Sequence, residues 1–527
     1  MYLHSMKNIL SSIFLLFILM FWSSCRDDLE FETSTGGLRF SRDTIYLDTV
    51  FSNIGSSTYN LKVYNSSNKD VVIPNISLAR GQSSNYRLNV DGMAGKSFDN
   101  VELLAKDSLY IFVETTIDIQ NEANNPKEFL YTDQIEFHHS SDFQKVELVT
   151  LVKDAYFIYP NKSLDPSTGN SIVETLTFDV DGDGIDDETE VQGRFLNDNE
   201  LHFTNDKPYV IYGYAAVGNG KTLEIDAGSR IHFHANSGLI ITNGASLWIN
   251  GALSIDQVQL ENEVIFEGDR LEPEFANTPG QWGTIWLFNG STNNQINYTT
   301  IKNGGIGLLV EGNQSEDFKL NIANSQIYNS AYFGLMGRAT SIKGENLVIN
   351  KSGQSSFAGL VGGHYDFTHC TFANYWSDSF RQFPAVYLNN YFADEDENII
   401  TNDLNSTRFK NCIIYGNDNP ELILDPKSSS SFDVKFSACL IKFDDPNNVF
   451  SDPWHDFGNT DFYENIFLNL NPNFKNPTEN QLQIGEESDA NGRGSIEFST
   501  LVPYDILGKT RVDSPDLGAY QHIIFMD

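Results

Sequence analysis

Basic residues are scarce in this chain of 527 residues. It contains 34 Lys and Arg against 71 Asp and Glu, which gives a formal net charge of −37. Binding of nucleic acid needs a basic surface that neutralises phosphates. The composition therefore excludes nucleic acid as an expected partner, whereas divalent cations suit the acidic surface.

Cysteine is also rare. The four cysteines stand at positions 25, 370, 412 and 439, and no two have CxxC spacing. Small secreted folds without a large core are held by many disulfides, but here 40% of the residues are hydrophobic and can supply a core. We therefore expect no disulfide framework, and the spacing disfavours a metal site at these thiols.

The hydrophobic run at the N-terminus is too short to cross a bilayer. Residues 9–22 form a run of about fourteen residues, against the roughly twenty that a spanning helix needs. The run follows Lys7 and precedes Ser23 and Ser24, so residues 1–24 are predicted to be a signal peptide. Cleavage before Cys25 would leave a cysteine for acylation, with residues 25–37 as a flexible tether. The alternative is ordinary secretion with Cys25 incidental.

The centre of the chain repeats one pattern of short apolar runs separated by Asn- or Gly-rich turns. The matching apolar positions are Ile301, Ile327, Ile349, Phe372, Ile414 and Ile441, at steps of 26, 22, 23, 42 and 27 residues. A period in the low twenties indicates a β-solenoid, and the long step is one repeat with an insertion. Cys370, Cys412 and Cys439 each precede a marker by two residues, which predicts a column of buried thiols.

The remaining segments complete an all-β fold. Residues 38–155 show about seven short alternating runs with polar turns, as in an immunoglobulin-like sandwich. Residues 156–205 connect it to the solenoid, which is predicted over residues 206–470. Residues 471–527 are expected to cap the open end of the solenoid.

An acidic loop lies in the connecting segment. Acids occupy positions 1, 3, 5, 9 and 12 of a twelve-residue loop with Gly at position 6, which is the ligand spacing of an EF-hand calcium loop. The predicted ligands are Asp179, Asp181, Asp183, Asp187 and Glu190. The flanking residues look like strands and not helices, so the alternative is a β-hairpin with an acidic turn, and both descriptions can hold together.

Two further stretches carry a resemblance to a known family. Ser23-Ser24-Cys25 resembles a bacterial lipobox, and residues 26–30 (RDDLE) resemble the surface-export signal of Bacteroidota lipoproteins. The repeats, and the ending VPYDILGKTRVDSPDLGAYQ, resemble right-handed parallel β-helix lipoproteins of Bacteroidota that carry an N-terminal Ig-like domain. The residues that match this ending are Pro503, Asp505, Gly508, Arg511, Asp516, Gly518, Ala519 and Tyr520. The resemblance implies a monomer that is lipid-anchored in the outer membrane and exposed at the cell surface.

The stretch 362–383 contains the strongest candidates for chemistry. Its candidate catalytic residues are His364, Asp366, His369 and Arg381, and its candidate ligand-binding aromatics are Tyr375, Trp376 and Phe380. On a strand, His364 and Asp366 share one face, where they could hold a cation or move a proton. The structural alternative is that His369 and Asp366 satisfy turn groups and that Trp376 and Phe380 cover the solenoid beneath the insertion.

The sequence is compatible with two functions. The first is a non-catalytic surface lipoprotein whose solenoid face binds a glycan or a protein, with calcium as a structural ion. The second is a carbohydrate-active enzyme, a lyase or a hydrolase, that acts on the side face. Three or more clustered acids on one face would favour the enzyme, and an aromatic, uncharged face would favour binding.

Replacing Cys25 with Ala is expected to release the protein from membranes, because the predicted anchor is a set of acyl chains on this cysteine. The measurement is the distribution of the protein between membrane and soluble fractions. As a control, a variant with Ala at Asp27 and Asp28 should stay membrane-bound and lose surface display. A Cys25→Ala protein that still sediments with membranes would contradict the anchor.

Overall fold

A computed structural model describes residues 31–122, 127–139, 142–312, 317–394 and 396–525. The protein is all-β, with 49% of residues in strands and 5% in helices. Within the described ranges, no helix is both long and apolar enough to cross a membrane. The predicted signal peptide and Cys25 lie outside the described residues. The chain divides into two compact units, with the boundary between Lys153 and Asp154.

The N-terminal unit contains eleven strands and one helical turn in its described residues. They are Glu32–Thr33 (β1), Arg39–Phe40 (β2), Thr44–Phe51 (β3), Tyr59–Tyr64 (β4), Val71–Leu78 (β5), Tyr86–Val90 (β6), Met93–Gly95 (β7), Ser97–Leu103 (β8), Ser108–Thr115 (β9), Ile119–Glu122 (α1), Glu128–His138 (β10) and Phe143–Lys153 (β11).

These strands form two sheets around one core. One sheet has the order β1-β5-β10-β11-β3 with β8 beside β5, and the other has the order β2-β4-β9-β6-β7. Inward residues such as Leu61, Ile111 and Ile135 are fully buried, as their alternation predicts.

The N-terminal unit corrects two of the sequence predictions. Strands of two or three residues raise the count above the predicted seven, because alternation cannot be read over so few positions. The predicted tether ends early, because β1 pairs with Val71 and Val72.

The C-terminal unit begins with a hairpin-rich segment. Its strands are Tyr156–Ile158 (β12), Lys162–Leu164 (β13), Ser171–Val173 (β14), Thr175–Phe178 (β15), Asp187–Phe195 (β16), His202–Phe203 (β17), Tyr209–Ile211 (β18), Tyr214–Val217 (β19), Thr222–Asp226 (β20), Arg230–Phe233 (β21), Gly238–Ile241 (β22), Ser246–Asn250 (β23) and Val264–Gly268 (β24).

The later elements of this unit continue the repeats to the C-terminal segment. They are Ile285–Leu287 (β25), Asn294–Asn297 (β26), Thr299–Lys302 (β27), Ile306–Glu311 (β28), Leu320–Ala323 (β29), Gln326–Ser330 (β30), Phe333–Glu345 (β31), Val348–Ser352 (β32), Phe357–Thr368 (β33), Thr371–Asn374 (β34), Val386–Asn389 (β35), Tyr391–Ala393 (β36), Ile399–Thr401 (β37), Leu404–Lys410 (β38), Ile413–Gly416 (β39), Leu422–Asp425 (β40), Phe432–Ser437 (β41), Leu440–Ile441 (β42), Tyr463–Glu464 (β43), Phe467–Leu468 (β44), Phe474–Asn476 (β45), Gln481–Ile484 (β46) and Ile496–Leu501 (α2).

Most of these strands belong to three rows of parallel strands that the chain visits in turn. Row A is the eleven-stranded sheet β12-β18-β21-β24-β27-β30-β32-β34-β39-β42-β44. Row B is β19-β22-β25-β28, the first halves of β31 and β33, β35 and β40. Row C is β17-β20-β23-β26-β29, the second halves of β31 and β33, β38, β41 and β43. Neighbours within a row are one repeat apart, so the repeat length sets the pairing.

The predicted register is confirmed in row A. The marker residues pair directly as Ile301↔Ile327↔Ile349↔Phe372↔Ile414↔Ile441. All six are fully buried in one core. The pairing of Phe372 with Ile414 confirms that the 42-residue step is a single repeat with an insertion.

The thiol column is confirmed as well. Cys370, Cys412 and Cys439 are free and buried. Cys412 Sγ lies 3.7 Å from the carbonyl oxygen of Phe367, and Cys439 Sγ lies 3.4 Å from that of Phe409. Burial raises the pKa of the Cys370 and Cys439 thiols well above their ordinary value. These cysteines therefore behave as small core residues and not as nucleophiles.

The predicted cap is wrong in its position. An aromatic cluster after β42 covers the last strands instead, where Phe443, Phe457 and Tyr463 meet at ring distances of 4.9 and 4.5 Å. Residues 471–525 lie along the outer side of row A. There Leu482 and Ile506 pack on Tyr328, Val348 and Ala373. Row A has apolar outward residues, and the C-terminal segment removes them from water.

The C-terminal motif is explained by this packing. Arg511 is fully buried and donates to Asn346 Oδ1 at 2.9 Å, to the Gly518 carbonyl at 3.1 Å and to the Tyr504 carbonyl. Burial lowers the pKa of Arg511 to about 10. Gly518 has φ +84°, and a Cβ there would lie 2.6 Å from Thr371 Oγ1. The motif therefore joins the C-terminal segment to row A.

Truncation of Phe372 to Ala is expected to cost about 3–5 kcal/mol of unfolding free energy, because it opens a cavity in a core that partial relaxation cannot close. Phe372 is 0% exposed. The matched control is Phe380→Ala, since Phe380 is 84% exposed and its loss should change stability by less than about 0.5 kcal/mol. Denaturant unfolding of both variants measures the difference, and equal midpoints would contradict the packing.

Candidate functional site

The structure does not bring the four catalytic candidates together. His364 and Asp366 are half-buried on the outer face of row C, on either side of the buried Tyr365. His364 lies against the Phe318 ring at 4.6 Å, and Asp366 accepts two hydrogen bonds from Lys410 Nζ, at 2.8 and 2.9 Å. The pair therefore shares a face, as expected, but the carboxylate is engaged in an ion pair.

The outer face of row C is a ladder of such ion pairs. The pairs are Lys343–Glu345 at 2.7 Å, Lys410–Asp366 at 2.8 Å, Arg408–Asp433 at 2.9 Å and Lys435–Glu464 at 3.3 Å. The hydrogen bond from Arg408 lowers the pKa of Asp433. Each acid here has a base beside it, so the face offers paired charges.

His369 lies away from this face, in a turn before row A. Its backbone is left-handed, with φ 54°, as it is at Asn324, Asn346 and Asn411 in the equivalent turns. Asparagine is favoured in this conformation. Asn346 Nδ2 donates to Asn324 Oδ1 at 2.8 Å, and Asn411 Nδ2 lies 3.0 Å from His369 Nε2. His369 thus takes the place of an asparagine in a polar column, as the structural alternative proposed.

The environment of His369 closes it to substrate. The side chain is fully buried, and Ser499 Oγ of α2 lies 2.9 Å from Nε2. Burial, and then the positive charge of Arg511, lower the pKa of the imidazole well below its usual value. The ring therefore remains neutral at physiological pH and helps to hold the C-terminal segment.

Arg381 is held inside the insertion by Glu421. Its Nη1 and Nη2 donate to the two carboxylate oxygens at 2.8 and 2.7 Å, and both side chains are buried. Ala385 N and Asp418 N also donate to Glu421, at 2.8 and 2.9 Å. A bidentate buried pair with further hydrogen bonds fixes local structure, so Arg381 anchors the loop before β35.

Only one of the three aromatic candidates is exposed. Tyr375 packs edge-on against Phe474 at 6.1 Å, and Trp376 is buried with its Nε1 donating to Ser379 Oγ at 3.1 Å. Phe380 projects into solvent. Trp376 therefore covers strands, as the structural alternative proposed, and Tyr375 does so as well. The same expectation is wrong for Phe380, which is 84% exposed and remains available to a ligand.

The outer face of row B holds an arrangement that sequence reasoning missed. One outward residue from each successive strand pairs with the next, in the column Trp286↔Leu309↔Met336↔Ala358↔Tyr387↔Ile423. Ala358 is buried, and the other five are half-buried. We call these six residues the apolar column. An apolar column on the outside of a sheet is informative because outward residues are usually polar.

A second outward column of mixed polarity runs beside the first, two residues further along each strand. It contains the pairs Glu311↔Arg338↔Leu360 and Asn389↔Asp425. Trp286 Nε1 donates to Glu311 Oε2 at 2.7 Å, and Arg338 lies 3.5 Å from Glu311. The face thus joins an apolar floor to a strip of hydrogen-bonding groups.

The insertion between β34 and β38 lines the other end of this face. The Phe383 ring lies edge-on to Tyr387 at 5.3 Å. Asp425 Oδ2 accepts from the Tyr387 hydroxyl at 2.9 Å and from the Tyr391 hydroxyl at 2.7 Å. The latter hydrogen bond raises the pKa of Tyr391 to about 12. The aromatic rings are therefore fixed in place by neighbouring carboxylates.

The acidic loop joins the two strands of the β15–β16 hairpin, which confirms the hairpin reading. Carboxylate oxygens of Asp179, Asp181 and Asp187 lie within 4.8 Å of one another. Asp183 and Glu190 do not belong to this group. Glu190 lies on an extended strand, which advances about 3.3 Å per residue and therefore places it away from Asp187. Asp183 Oδ1 instead accepts a hydrogen bond from Ile185 N at 2.7 Å.

The hairpin packs on the first strands of row B. Leu176 and Phe178 are buried against Ile240 and Phe288, and the rings of Phe178 and Phe288 lie 5.0 Å apart, edge to face. Phe288 in turn lies 5.1 Å from Trp286. The acidic loop and the first residue of the apolar column are therefore linked through a short aromatic chain.

Comparison with known proteins gives little guidance. No family model and no curated protein matches the sequence. Similar solved structures include a family 123 glycoside hydrolase from Clostridium perfringens that acts on glycolipid glycans, with 12% identity over 21% of this chain and 23% of that chain and a TM-score of 0.15. A PapD-like domain of human CEP192 has 11% identity over 22% of this chain and 86% of its own, with a TM-score of 0.15.

A third similar structure covers more of the chain. It is the catalytic domain of a GH87 α-1,3-glucanase, crystallised with tetrasaccharides, with 11% identity over 72% of this chain and 81% of its own. Its TM-score is 0.18. At TM-scores this low, none of the three similarities supports an assignment of fold or function.

Proposed function

We propose that the protein is a non-catalytic, monomeric surface lipoprotein that binds polysaccharide on the outer face of row B. In this proposal Cys25 is acylated and anchors the chain in the outer membrane of a Bacteroidota-type cell. The N-terminal unit is an immunoglobulin-like domain, and the C-terminal unit is a right-handed parallel β-helix.

The β-helix part of the proposal is supported by the three rows. Strands one repeat apart pair in parallel and in register, and the chain visits rows A, B and C in the same order in successive repeats. The inward residues of all three rows share one core. This is the arrangement expected of a solenoid in which each repeat contacts only its neighbours.

The observation that carries the binding proposal is the apolar column with its hydrogen-bonding neighbour column. Sugar rings present apolar C–H faces and hydroxyl edges, so they match a surface with aromatic floors beside polar groups. Trp286 and Tyr387 supply the rings. Glu311 and Asp425 already accept hydrogen bonds from them, and a carboxylate has further lone pairs for sugar hydroxyls.

The acids of the solenoid support binding over catalysis. A glycosidase needs two carboxylates on opposite sides of the scissile bond, whereas four acids of row C, Glu345, Asp366, Asp433 and Glu464, are each in an ion pair with a base. Within the described ranges, the one grouping of three or more possible metal-ligating side chains is Asp179, Asp181 and Asp187. That grouping lies on the hairpin loop.

Trp286→Ala and Tyr387→Ala are each expected to weaken polysaccharide binding roughly tenfold or more, because loss of about 1.4 kcal/mol of contact changes affinity tenfold. The matched control is Trp248→Ala. Trp248 is also an outward, half-buried tryptophan, but it lies on row C. A glycan array with the protein lacking its signal peptide identifies the ligand, and calorimetry measures the variants.

The same samples are read for product release. Equal loss of binding in all three variants would contradict a site on row B. Release of shortened sugars by the wild type would favour the rival function, a polysaccharide lyase or glycoside hydrolase.

Calcium is the second part of the proposal. Three carboxylates whose oxygens lie within 4.8 Å can share one ion, since calcium binds oxygen at 2.3–2.6 Å. Backbone groups already preorganise the loop: Gly182 N donates to Asp179 Oδ1 at 2.6 Å, and Val180 N donates to Asp187 Oδ2 at 3.0 Å. The ion would hold the hairpin closed beside row B.

Calcium is expected to raise the melting temperature of the protein. Binding to the folded state alone stabilises it by about 2.7 kcal/mol at a hundredfold excess over the dissociation constant. A variant with Asn at Asp181 and Asp187 should lose this response, and Glu190→Gln should keep it because Glu190 lies outside the group. An identical response in all three proteins would place the ion elsewhere, with the acidic run 394–397 as the next candidate.

A further inference from the structure

We infer that the ligand of the row B face is an uncharged polysaccharide chain that lies along the apolar column, across the strands. This inference rests on the proposed function and specifies its ligand class. It is carried by the shape of the column, by the fixed position of its rings and by the charges around it.

The column is long and narrow. Trp286 and Ile423 are separated by five strand pairings, which corresponds to about 24 Å at about 4.8 Å per strand. Measured along a strand, the floor is one residue wide, because Ile285 and Leu287, which precede and follow Trp286, point into the core. A narrow floor of this length fits an extended chain better than a compact ligand.

The two aromatic rings of this floor are fixed before any ligand arrives. Trp286 is held by its hydrogen bond to Glu311 and by the edge contact with Phe288. Tyr387 is held by Asp425 and by Phe383. Fixed side chains lose little conformational entropy on binding, so a weakly interacting sugar chain gains affinity from every ring that it covers.

The charges beside the column disfavour an anionic chain. Glu311 lies 3.5 Å from Arg338, and the Arg338 guanidinium also lies over the Phe392 ring at 5.8 Å. Asp425 receives two tyrosine hydroxyls. A uronic acid chain would meet these carboxylates and a protein of net charge −37, whereas neutral hydroxyls can donate to the same oxygens.

The test compares neutral and anionic polysaccharides. Soluble β-glucans and α-glucans are the neutral probes, polygalacturonate is the anionic probe, and each is titrated into the calcium-free protein at low and at high salt. We expect a neutral glucan to bind with an affinity that does not change with salt. At low salt, polygalacturonate should bind at least about tenfold more weakly than that glucan. Oligosaccharides of increasing length should bind with rising affinity until the chain spans the column.

The outcomes separate the inference from the function on which it rests. Binding of polygalacturonate alone, or affinity that is already maximal with a disaccharide, would overturn the uncharged, lengthwise ligand and leave a glycan-binding face. Binding of none of these probes, together with a blank glycan array, would overturn both. Binding of a neutral glucan that Trp286→Ala leaves unchanged and Trp248→Ala abolishes would move the ligand to row C and overturn the inference.

Discussion

Parallel pairing between residues one repeat apart is the constraint on which the C-terminal unit depends. Each inward residue of row A packs on the equivalent residue of the next repeat, so the register must survive any change in loop length. Phe372 and Ile414 remain paired although 42 residues separate them. The additional residues lie before β35 and between β35 and β38, where they form the β36–β37 hairpin outside the three rows. Variation is therefore confined to the corners between rows.

The three rows use their outer faces differently. The outer face of row A is covered by residues 471–525 along much of its length. The outer face of row C carries paired charges that water can solvate, and such exposed pairs contribute little to stability. The outer face of row B carries the apolar column. Apolar area exposed to water is unfavourable, and this third face differs from the other two in keeping a half-buried apolar column at its surface.

Much of this fold follows from local spacing in the sequence. The markers from Ile301 to Ile441, the thiol column and the hairpin around the acidic loop are all visible there, because each depends on neighbours at fixed intervals. The position of the cap was predicted wrongly because its partners Val348 and Ile413 lie 123 and 58 residues before residue 471, and sequence alone does not reveal that contact. The two-residue strands were equally invisible.

The site was harder to predict. His369 and Arg381 were catalytic candidates because they are titratable. Their partners Ser499 and Glu421 lie 130 and 40 residues away in the sequence, so sequence alone does not show that both side chains are engaged. Row B was overlooked because runs such as Ile285-Trp286-Leu287 read as strands buried on both faces, which is usual in parallel sheets. The sequence signal for row B was that apolar residues recur at both the inward and the outward positions of the same strand in several repeats, with no helical segment between the repeats to cover the outward ones.

The C-terminal segment has a consequence for biosynthesis. It is translated after every row A strand that it covers, so the outward side chains of Val348, Ile413 and Leu440 have no cover while the chain is still emerging. Apolar edges exposed in this way promote association between unfinished chains. The outer side of row A is therefore completed only when the last residues have been made and Arg511 reaches its place against Asn346.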